Sequence, residues 1–176
     1  MEVAHGCEAD TSIDNPSCTF PSHIGNACTR SVEIHRRVGY LPGEFALYDR
    51  LTGAQHLEYF ANLRGGVDRA YQAELVERLD LDPSRKFKEY SKGNKQKVGL
   101  VVALQHRPEL LLLDEPTAGL DPLMQQEVYR LLREAQAEGT TVFFSSHIIS
   151  EVEALAERVA IIRDGLIVEE AEPARL

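Results

Sequence analysis

The sequence of 176 residues lacks the features that mark several classes of protein. No apolar run approaches the roughly 20 residues that a helix needs to cross a bilayer, which excludes a membrane-spanning chain. No basic segment followed by an apolar one opens the sequence, so a cytoplasmic protein is expected. A formal charge of −9 argues against a broad nucleic-acid-binding surface.

Lysine is missing from most of the chain. Every lysine lies between Lys86 and Lys97, so arginine is the only fixed cation before that segment. No Gly-Lys dipeptide occurs at any position. This excludes the Gly-x4-Gly-Lys-Ser/Thr loop, in which backbone N–H groups and a lysine together bind phosphates.

Cysteine is scarce and confined to one end of the chain. Cys7, Cys18 and Cys28 lie near His5 and His23, and no two cysteines have the CxxC spacing. This pattern disfavours a structural zinc site and favours free thiols. Residues 1–30 also lack helical or alternating apolar periodicity, so the pattern predicts an irregular segment there.

Order is predicted to begin near Ser31. The segment Arg37–Pro42 has the pattern of a short strand that ends at a Pro-Gly turn. Three helices are then predicted: one capped by Thr52, one from Val67 to Leu79, and one capped by Ser91.

Strand–helix alternation is predicted for the second half of the chain. The continuous apolar run Leu110–Leu113 is typical of a strand buried on both faces of a parallel sheet. The further predicted elements are a helix beginning at Asp121-Pro122, a strand over Thr140–Ser145, a helix over Glu151–Glu157, and a hairpin turning at Asp164-Gly165. The fold class is therefore α/β, with a helical lobe inserted ahead of the second half of the sheet.

Polar side chains follow two of the predicted strands. Asp114 and Glu115 come after Leu110–Leu113, and His147 follows the next strand. Ligands of such sheets bind at the carboxyl ends of the strands, where one carboxylate can hold Mg²⁺ while its neighbour orients or deprotonates water. Taken singly, an Asp-Glu pair can also be a helix cap or solvated turn, and a lone histidine can be structural.

The order of these motifs resembles the ATPase domains of ABC transporters. The segment Leu110–Asp121 is similar to the Walker B motif and D-loop of that family, and Ser145–Glu153 to its switch-histidine region. Tyr90–Gln96 resembles a divergent ABC signature, and Tyr40–Thr52 is similar to the Q-loop region. The resemblance covers roughly residues 31–170. It implies a P-loop-NTPase-like fold, incomplete at the N-terminus, with a mostly parallel sheet and an inserted helical subdomain at about 44–107.

The resemblance also implies roles for individual residues. Asp114 would bind Mg²⁺, Glu115 would be the general base, and His147 would contact the γ-phosphate of ATP. Four further residues would contact the nucleotide that a partner subunit holds: Ser91, Lys92, Gly93 and Asp121. Residues 108–170 would form the sheet half that carries the motifs from Walker B to the switch histidine.

The resemblance implies partners as well. The family closes two ATPase domains head-to-tail over two ATP molecules, so a second ABC ATPase subunit, identical or different, is expected. A transmembrane permease subunit would place the pair on the inner face of the cell membrane. The Gly-Glu form of the Q-loop region and the Tyr-Ser-Lys-Gly signature look like the export-type branch, and the permease would choose the cargo.

The lysines near the signature have more than one interpretation. Lys92, Lys95 and Lys97 raise the positive potential beside a predicted helix N-terminus, where an anion would bind. The alternative is a solvated helix face. A nucleic-acid patch is disfavoured because no aromatic platform is interleaved with these lysines.

The sequence departs from the family pattern in three respects. The Gly-Lys loop and the strand before it are absent, so the chain alone is predicted to bind ATP poorly and to hydrolyse it negligibly. The helix that follows this loop in the family covers the sheet, so its loss predicts an exposed apolar face. Gly43 stands where the family has a glutamine, which Glu44 could replace.

Three functional hypotheses remain open at this point. The chain is an ATPase subunit of an exporter that is truncated or rearranged at its N-terminus, or a non-catalytic partner that supplies its signature to an intact subunit, or a remnant without function. ATP binding by the isolated chain is expected only under the first hypothesis.

Overall fold

The computed structural model describes residues 30–43 and 47–172. The chain divides into two compact units, Met1–Ser31 and Val32–Leu176, and the first lies almost entirely outside the described residues. The predictions for the cysteines, for an irregular segment over 1–30 and for Glu44 therefore fall outside the described residues.

A parallel sheet of three strands organises this unit. Its strands are β1 (Val38–Leu41), β2 (Leu110–Asp114) and β3 (Thr141–Ser145), hydrogen-bonded in the order β1-β2-β3. All three run in the same direction, as the strand–helix alternation of the sequence predicts. Asp114 pairs with Ser145 in the register, so the carboxyl ends of β2 and β3 meet at one edge.

The helical lobe lies between β1 and β2 in the chain. It consists of α2 (Gly53–Leu63), α3 (Arg69–Arg78), a 3₁₀ turn (Phe87–Glu89) and α4 (Lys92–Leu104). Side chains cap all three α-helices: Thr52 forms a capping box with Gln55, Asp68 caps α3, and Ser91 caps α4. These caps satisfy backbone N–H groups that have no partner within the helix.

Helix α4 joins the lobe to the sheet. Every residue from Gln96 to Leu104 is buried, and the helix packs against β1. A Cβ atom at Gly39 would lie 2.2 Å from the carbonyl oxygen of Ala103, so only glycine lets β1 and α4 approach this closely.

The second half of the chain follows the predicted order with one shift. It contains α5 (Pro122–Ala137), β3, α6 (Ile149–Leu155) and the antiparallel hairpin of β4 (Val159–Arg163) and β5 (Leu166–Ala171). The sequence-based helix over Glu151–Glu157 is wrong by two residues at each end. The turn residues Asp164 and Gly165 both have positive φ, as a two-residue hairpin turn requires.

A seven-residue helix, α1 (Ser31–Arg37), precedes the sheet and was not predicted. It has no buried residue and therefore lacks the apolar stripe by which a helix is found in a sequence. Arg37, its last residue, forms an ion pair with Glu109 just before β2. This contact depends on the chain folding back over the lobe, which no local pattern reveals.

One face of the sheet is apolar and partly exposed. Leu111 and Leu113 are buried on the other face, whereas Leu110 and Leu112 are only half-buried. Tyr40 and Phe143, the register partners of Leu112, are 58% and 66% exposed. The prediction of an exposed apolar face is confirmed, and the prediction that β2 is buried on both faces is wrong.

Among the described residues, no helix combines the length and the apolar character that crossing a membrane requires.

A charged network joins α3 to α5. Arg78 forms ion pairs with Glu127 at 2.7 Å and Glu134 at 2.6 Å, and also with Glu74 on its own helix. Hydrogen bonds from Arg78 lower the pKa of both Glu127 and Glu134, and those same contacts raise the pKa of Arg78. The network therefore stabilises the folded state while these carboxylates are ionised.

Arg78→Met is expected to lower the free energy of unfolding by about 1 kcal/mol at neutral pH, because solvent screens the half-exposed Glu134. Lowered carboxyl pKa values contribute stability above the unfolded value of about 4.3. That contribution disappears as pH falls through the folded values, so wild type and variant should converge in acid. Urea unfolding across this pH range checks the result. Arg69→Met, which breaks the more exposed pair with Glu58, is the control and should change stability little. A difference that persists at low pH would contradict the assignment.

Candidate site at the carboxyl ends of β2 and β3

The site begins where β2 and β3 end side by side. Asp114 closes β2, and its carboxylate accepts a hydrogen bond from the hydroxyl of Ser145, the last residue of β3. Both residues are exposed. The pairing of two parallel strands thus leaves a carboxylate and a hydroxyl together at an accessible edge.

Glu115 leaves the strand in an unusual backbone conformation. Its φ is +46°, in the left-handed region that is uncommon for residues other than glycine. Its N–H donates to the carbonyl and the hydroxyl oxygen of Ser145, at 3.2 and 3.1 Å. Such strain persists only where surrounding contacts impose it, and it is concentrated at functional sites.

The side chains of Glu115 and His147 are in direct contact. Nδ1 of His147 lies 2.7 Å from Oε1 of Glu115. An ionised carboxylate only accepts hydrogen bonds, so Nδ1 of His147 carries the proton in this contact. The two side chains are 43% and 74% exposed, and the pair is therefore accessible to a ligand.

Gly43 lies against Asp114. A Cβ atom at Gly43 would be 2.6 Å from Oδ2 of Asp114. Any larger residue here would displace either the backbone or the carboxylate. The absence of a side chain at Gly43 is therefore matched to the position of Asp114.

The donor set at this edge suits a cation that is shared with a phosphate ligand. Among the described residues, no group of three or more His, Cys, Asp or Glu side chains could hold a metal ion by itself. Asp114 and the hydroxyl of Ser145 nevertheless supply two oxygen atoms at one point. Mg²⁺ is commonly bound by one or two carboxylates together with substrate phosphates and water, so these residues fit the ion.

The signature segment packs directly against the turn that follows Glu115. A Cβ atom at Gly93 would lie 2.5 Å from the carbonyl oxygen of Gly119, and the side chain of Lys92 also lies beside Gly119. Ser91 caps α4 by accepting a hydrogen bond from the N–H of Asn94 at 3.2 Å. Ser91, Lys92 and Gly93 are thus placed together at a helix N-terminus, where an anion is favoured.

Gln96 connects α4 to the strand-end site and was missed in the sequence. It is buried, and its side-chain amide donates to the carbonyl oxygen of Glu115 at 2.9 Å. Glutamine is a common residue on exposed helix faces, so its spacing within α4 gives no signal of this contact. The hydrogen bond makes the signature helix and the turn after β2 one structural unit.

The lysines of the signature region do not act as one patch. Lys97 is buried, and its ammonium group donates to the carbonyl oxygen of Asp80 at 3.2 Å. Lys95 lies over the ring of Phe87, 5.0 Å from its centroid. The interpretation of these lysines as a solvated helix face is wrong for Lys97, because α4 is enclosed on all sides at that point. Lys92 remains exposed beside Gly93.

Asp121 has a structural role at the start of α5. Its Oδ1 accepts hydrogen bonds from the N–H groups of Leu123 and Met124, both at 3.1 Å. Pro122 follows at the first helical position, where its missing N–H costs nothing. Asp121 therefore sets where α5 begins.

A second missed residue is Glu151, in the first turn of α6. It is 3% exposed, and its carboxylate accepts hydrogen bonds from Thr117 and Ser146. Acidic residues in the first turn of a helix are ordinarily solvated and favoured by the helix dipole, so the sequence gives no sign of this burial.

The strand-end site does not coincide with the cleft of about 510 Å³ that lies between α2 and α3. Leu57, Val76 and Leu81 are among the residues that line that cleft, and Asp114, Glu115 and His147 are not. The strand-end site is an open edge of the sheet and not an enclosed cleft.

The chain is similar to known proteins over most of its length. Residues 28–153 match the family described as AAA domain, putative AbiEii toxin, type IV TA system. A bacitracin transport ATP-binding protein of Enterococcus faecalis is 38% identical over 146 residues, 81% of this chain and 47% of the relative. A linearmycin resistance ATP-binding protein of Bacillus subtilis is 31% identical over 173 residues, 92% of this chain and 56% of the relative.

A solved structure is similar as well. An ATP-binding subunit of an ABC transporter superposes with a TM-score of 0.76 at 28% identity, covering 83% of this chain and 63% of that one. The chain spans about half the length of the curated relatives it matches.

Proposed function

The chain belongs to the family of ABC transporter ATP-binding subunits, within the AAA/ABC ATPases, and from that premise we propose that its strand-end edge is half of a Mg²⁺-ATP site. The observation that carries this proposal is the meeting of Asp114, Glu115 and His147 at the carboxyl ends of two adjacent parallel strands. Three side chains from two segments, at the ends of β2 and β3, converge there, each of a type that phosphate chemistry uses.

Each of the three side chains has a role that its position supports. Asp114, with the hydroxyl of Ser145, would hold Mg²⁺, which when bound neutralises negative charge on the phosphates of ATP. Glu115 would accept a proton from, or orient, the attacking water as general base. His147 holds a proton on Nδ1 toward Glu115, which leaves Nε2 to contact the terminal phosphate.

A partner subunit is proposed from the residues at the start of α4. Ser91, Lys92 and Gly93, together with Asp121, which follows Gly119 by two residues, would contact ATP bound to a second ABC ATPase subunit. A helix N-terminus capped by Ser91 and an exposed lysine beside it support an anion there. A transmembrane permease would hold such a pair of subunits at the inner face of the membrane.

We further propose that the associated transport is export. One relative is named for bacitracin transport and another for linearmycin resistance. Resistance to a toxic compound is consistent with its removal from the cell. Cargo selection belongs to the permease and not to this chain.

The chain of 176 residues is proposed to be inactive by itself, because its sequence has no Gly-Lys loop. Ser91, Lys92 and Gly93, which we propose to contact a partner's ATP, lie together at the start of α4. This contrast favours a second candidate function, in which the chain supplies its signature segment to an intact subunit without hydrolysing ATP.

A complementation experiment tests that candidate. The chain is mixed with an intact ABC ATP-binding protein whose own signature serine has been replaced, and restored ATP turnover is measured. Ser91→Ala should reduce the restored turnover by about tenfold or more, because a hydrogen bond to a charged phosphate is lost.

Thr52→Ala is the matched control for this experiment. It removes an N-cap of the same kind from α2, away from the signature, and should leave the restored turnover unchanged. Equal losses in the two variants would mean that Ser91 acts only as a cap. Absence of any restored turnover would contradict the second candidate and favour a remnant.

A further inference from the structure

We propose that Glu151 is a positioning residue, a buried carboxylate that clamps the turn after β2 to the turn after β3 and so fixes Glu115 against His147. This inference rests on the proposed function, since it concerns the same strand-end site. It adds a residue that lies beneath the site and has no access to a ligand, because Glu151 is 3% exposed.

Both oxygens of the Glu151 carboxylate are used. Oε1 accepts a hydrogen bond from the hydroxyl of Thr117, which is itself 3% exposed. Oε2 accepts a hydrogen bond of 2.5 Å from the hydroxyl of Ser146. Thr117 lies two residues after Glu115, and Ser146 immediately precedes His147. One carboxylate therefore joins the two segments that carry the exposed pair.

A tyrosine lies beside this cluster. Tyr129, on α5, is buried close to Glu151. Burial, followed by the proximity of the Glu151 charge, raises the pKa of Tyr129 to about 12, so its hydroxyl stays protonated. The clamp is thereby anchored to a helix that packs against β3 and α6.

Glu151 is a buried carboxylate with no cationic partner among the described residues, and this feature indicates a positioning role. Within the described part of the chain, no ion pair joins Glu151 to a lysine, arginine or histidine. A buried carboxylate without a cation is costly unless hydrogen bonds compensate for its lost hydration. Two hydroxyl donors, from Thr117 and Ser146, provide that compensation, but only when the two turns that carry them are correctly placed.

The exposed pair above this cluster cannot hold its own geometry. Glu115 and His147 are 43% and 74% exposed, and even a fully charged pair at such exposure contributes only about 0–1 kcal/mol. Positioning must therefore come from the backbone of the two turns. Ser146 serves both purposes, because its hydroxyl donates to Glu151 and also accepts a hydrogen bond of 3.0 Å from the N–H of Ile148.

The test uses the 176-residue chain without nucleotide and follows the imidazole nitrogen signals of His147 by NMR, assigned with His147→Ala. In the wild type, Glu115→Ala should shift the Nδ1 signal because it removes the acceptor at 2.7 Å. In a Glu151→Gln background the Nδ1 signal should already be shifted, and adding Glu115→Ala should cause no further change.

Amide hydrogen exchange gives a second readout on the same samples. Glu151→Gln keeps the shape of the side chain but replaces one acceptor with a donor. Exchange in the two turns, over 115–120 and 146–149, should accelerate by about tenfold or more, since a charge-assisted hydrogen bond is lost there. Exchange in α3 and in the β4–β5 hairpin should stay as in the wild type.

The matched control is Glu153→Gln, an exposed carboxylate on the same helix, which should change neither readout. If Glu151→Gln does not fold, Thr117→Val and Ser146→Ala each remove one donor and should shift the His147 signal. The proposal is overturned if the folded variants unfold more easily yet His147 still responds fully to Glu115→Ala. Because no nucleotide is present, this outcome is independent of whether the chain binds ATP.

Discussion

The purified chain of 176 residues is expected to bind ATP with a dissociation constant above about 1 mM and to hydrolyse it at a rate indistinguishable from the background. The loop that would cradle the phosphates normally supplies several hydrogen bonds to charged oxygens, each contributing about 1.5–3 kcal/mol. The absence of three or four of them removes about 5–10 kcal/mol, which takes a micromolar affinity past millimolar.

Glu115→Gln provides the decisive comparison for this prediction. Equilibrium dialysis with Mg²⁺-ATP measures affinity, and phosphate release measures turnover. If Glu115 has no positioned substrate, then the variant and the wild type should show the same negligible turnover. Turnover by the wild type that Glu115→Gln abolishes would prove the prediction wrong and show that the strand-end site works without the loop.

The helices and the hairpin could be predicted because characteristic capping and turn residues mark where they begin or turn. Thr52, Ser91 and Asp121-Pro122 are helix-start residues, and each caps or begins a helix in the structure. Asp164-Gly165 marks the hairpin equally clearly. Caps and turns depend on interactions within a few residues, so a local pattern suffices to find them.

The meeting of Asp114, Glu115 and His147 could also be predicted, for a topological reason. Parallel strands end at the same edge, so residues that follow adjacent strands are neighbours without any information on packing. What the sequence could not predict is the contact itself, which depends on the left-handed backbone of Glu115. Nothing in the residue type indicates a positive φ there.

The burial of charged and polar residues around the site could not be predicted. Lys97, Gln96 and Glu151 are all buried, although each is a residue type that is usually exposed. Each is buried because a partner outside its own helix satisfies it. The partners are the carbonyl oxygen of Asp80 for Lys97, that of Glu115 for Gln96, and hydroxyl groups from two loops for Glu151. Such partners are set by tertiary packing, which periodicity does not encode.

Gly39→Ala is expected to be the most destabilising single-methyl change in the described chain. The added Cβ would lie 2.2 Å from the carbonyl oxygen of Ala103 and 2.7 Å from Cδ2 of Leu111. The first contact is with the backbone of a helix, which cannot rotate away, so either β1 or α4 must move. Overpacking of this kind costs about 3 kcal/mol or more, which corresponds to a loss of roughly 6–12 °C in Tm for a chain of this size.

Urea unfolding and thermal melting measure this loss, and Val38→Ala is the control. Val38 is the half-buried neighbour of Gly39 on the same strand, and its truncation removes apolar contact without a clash, at a cost of about 1 kcal/mol. The two variants change the same strand in opposite senses, one adding volume and the other removing it. Wild-type stability in Gly39→Ala would contradict the packing of α4 on β1.

The same substitution should also disturb the strand-end site, because α4 is one rigid helix. Ala103 and Gln96 are separated by seven residues, or about 10 Å along the helix axis. A displacement of α4 at Gly39 is therefore carried to the hydrogen bond between Gln96 and the carbonyl oxygen of Glu115. Faster amide exchange at Glu115 and in the turn that follows it is expected in Gly39→Ala at a urea concentration where the variant is still folded, whereas Val38→Ala should leave that turn protected. Gly39 on β1 thus determines how α4 packs against the turn that follows β2.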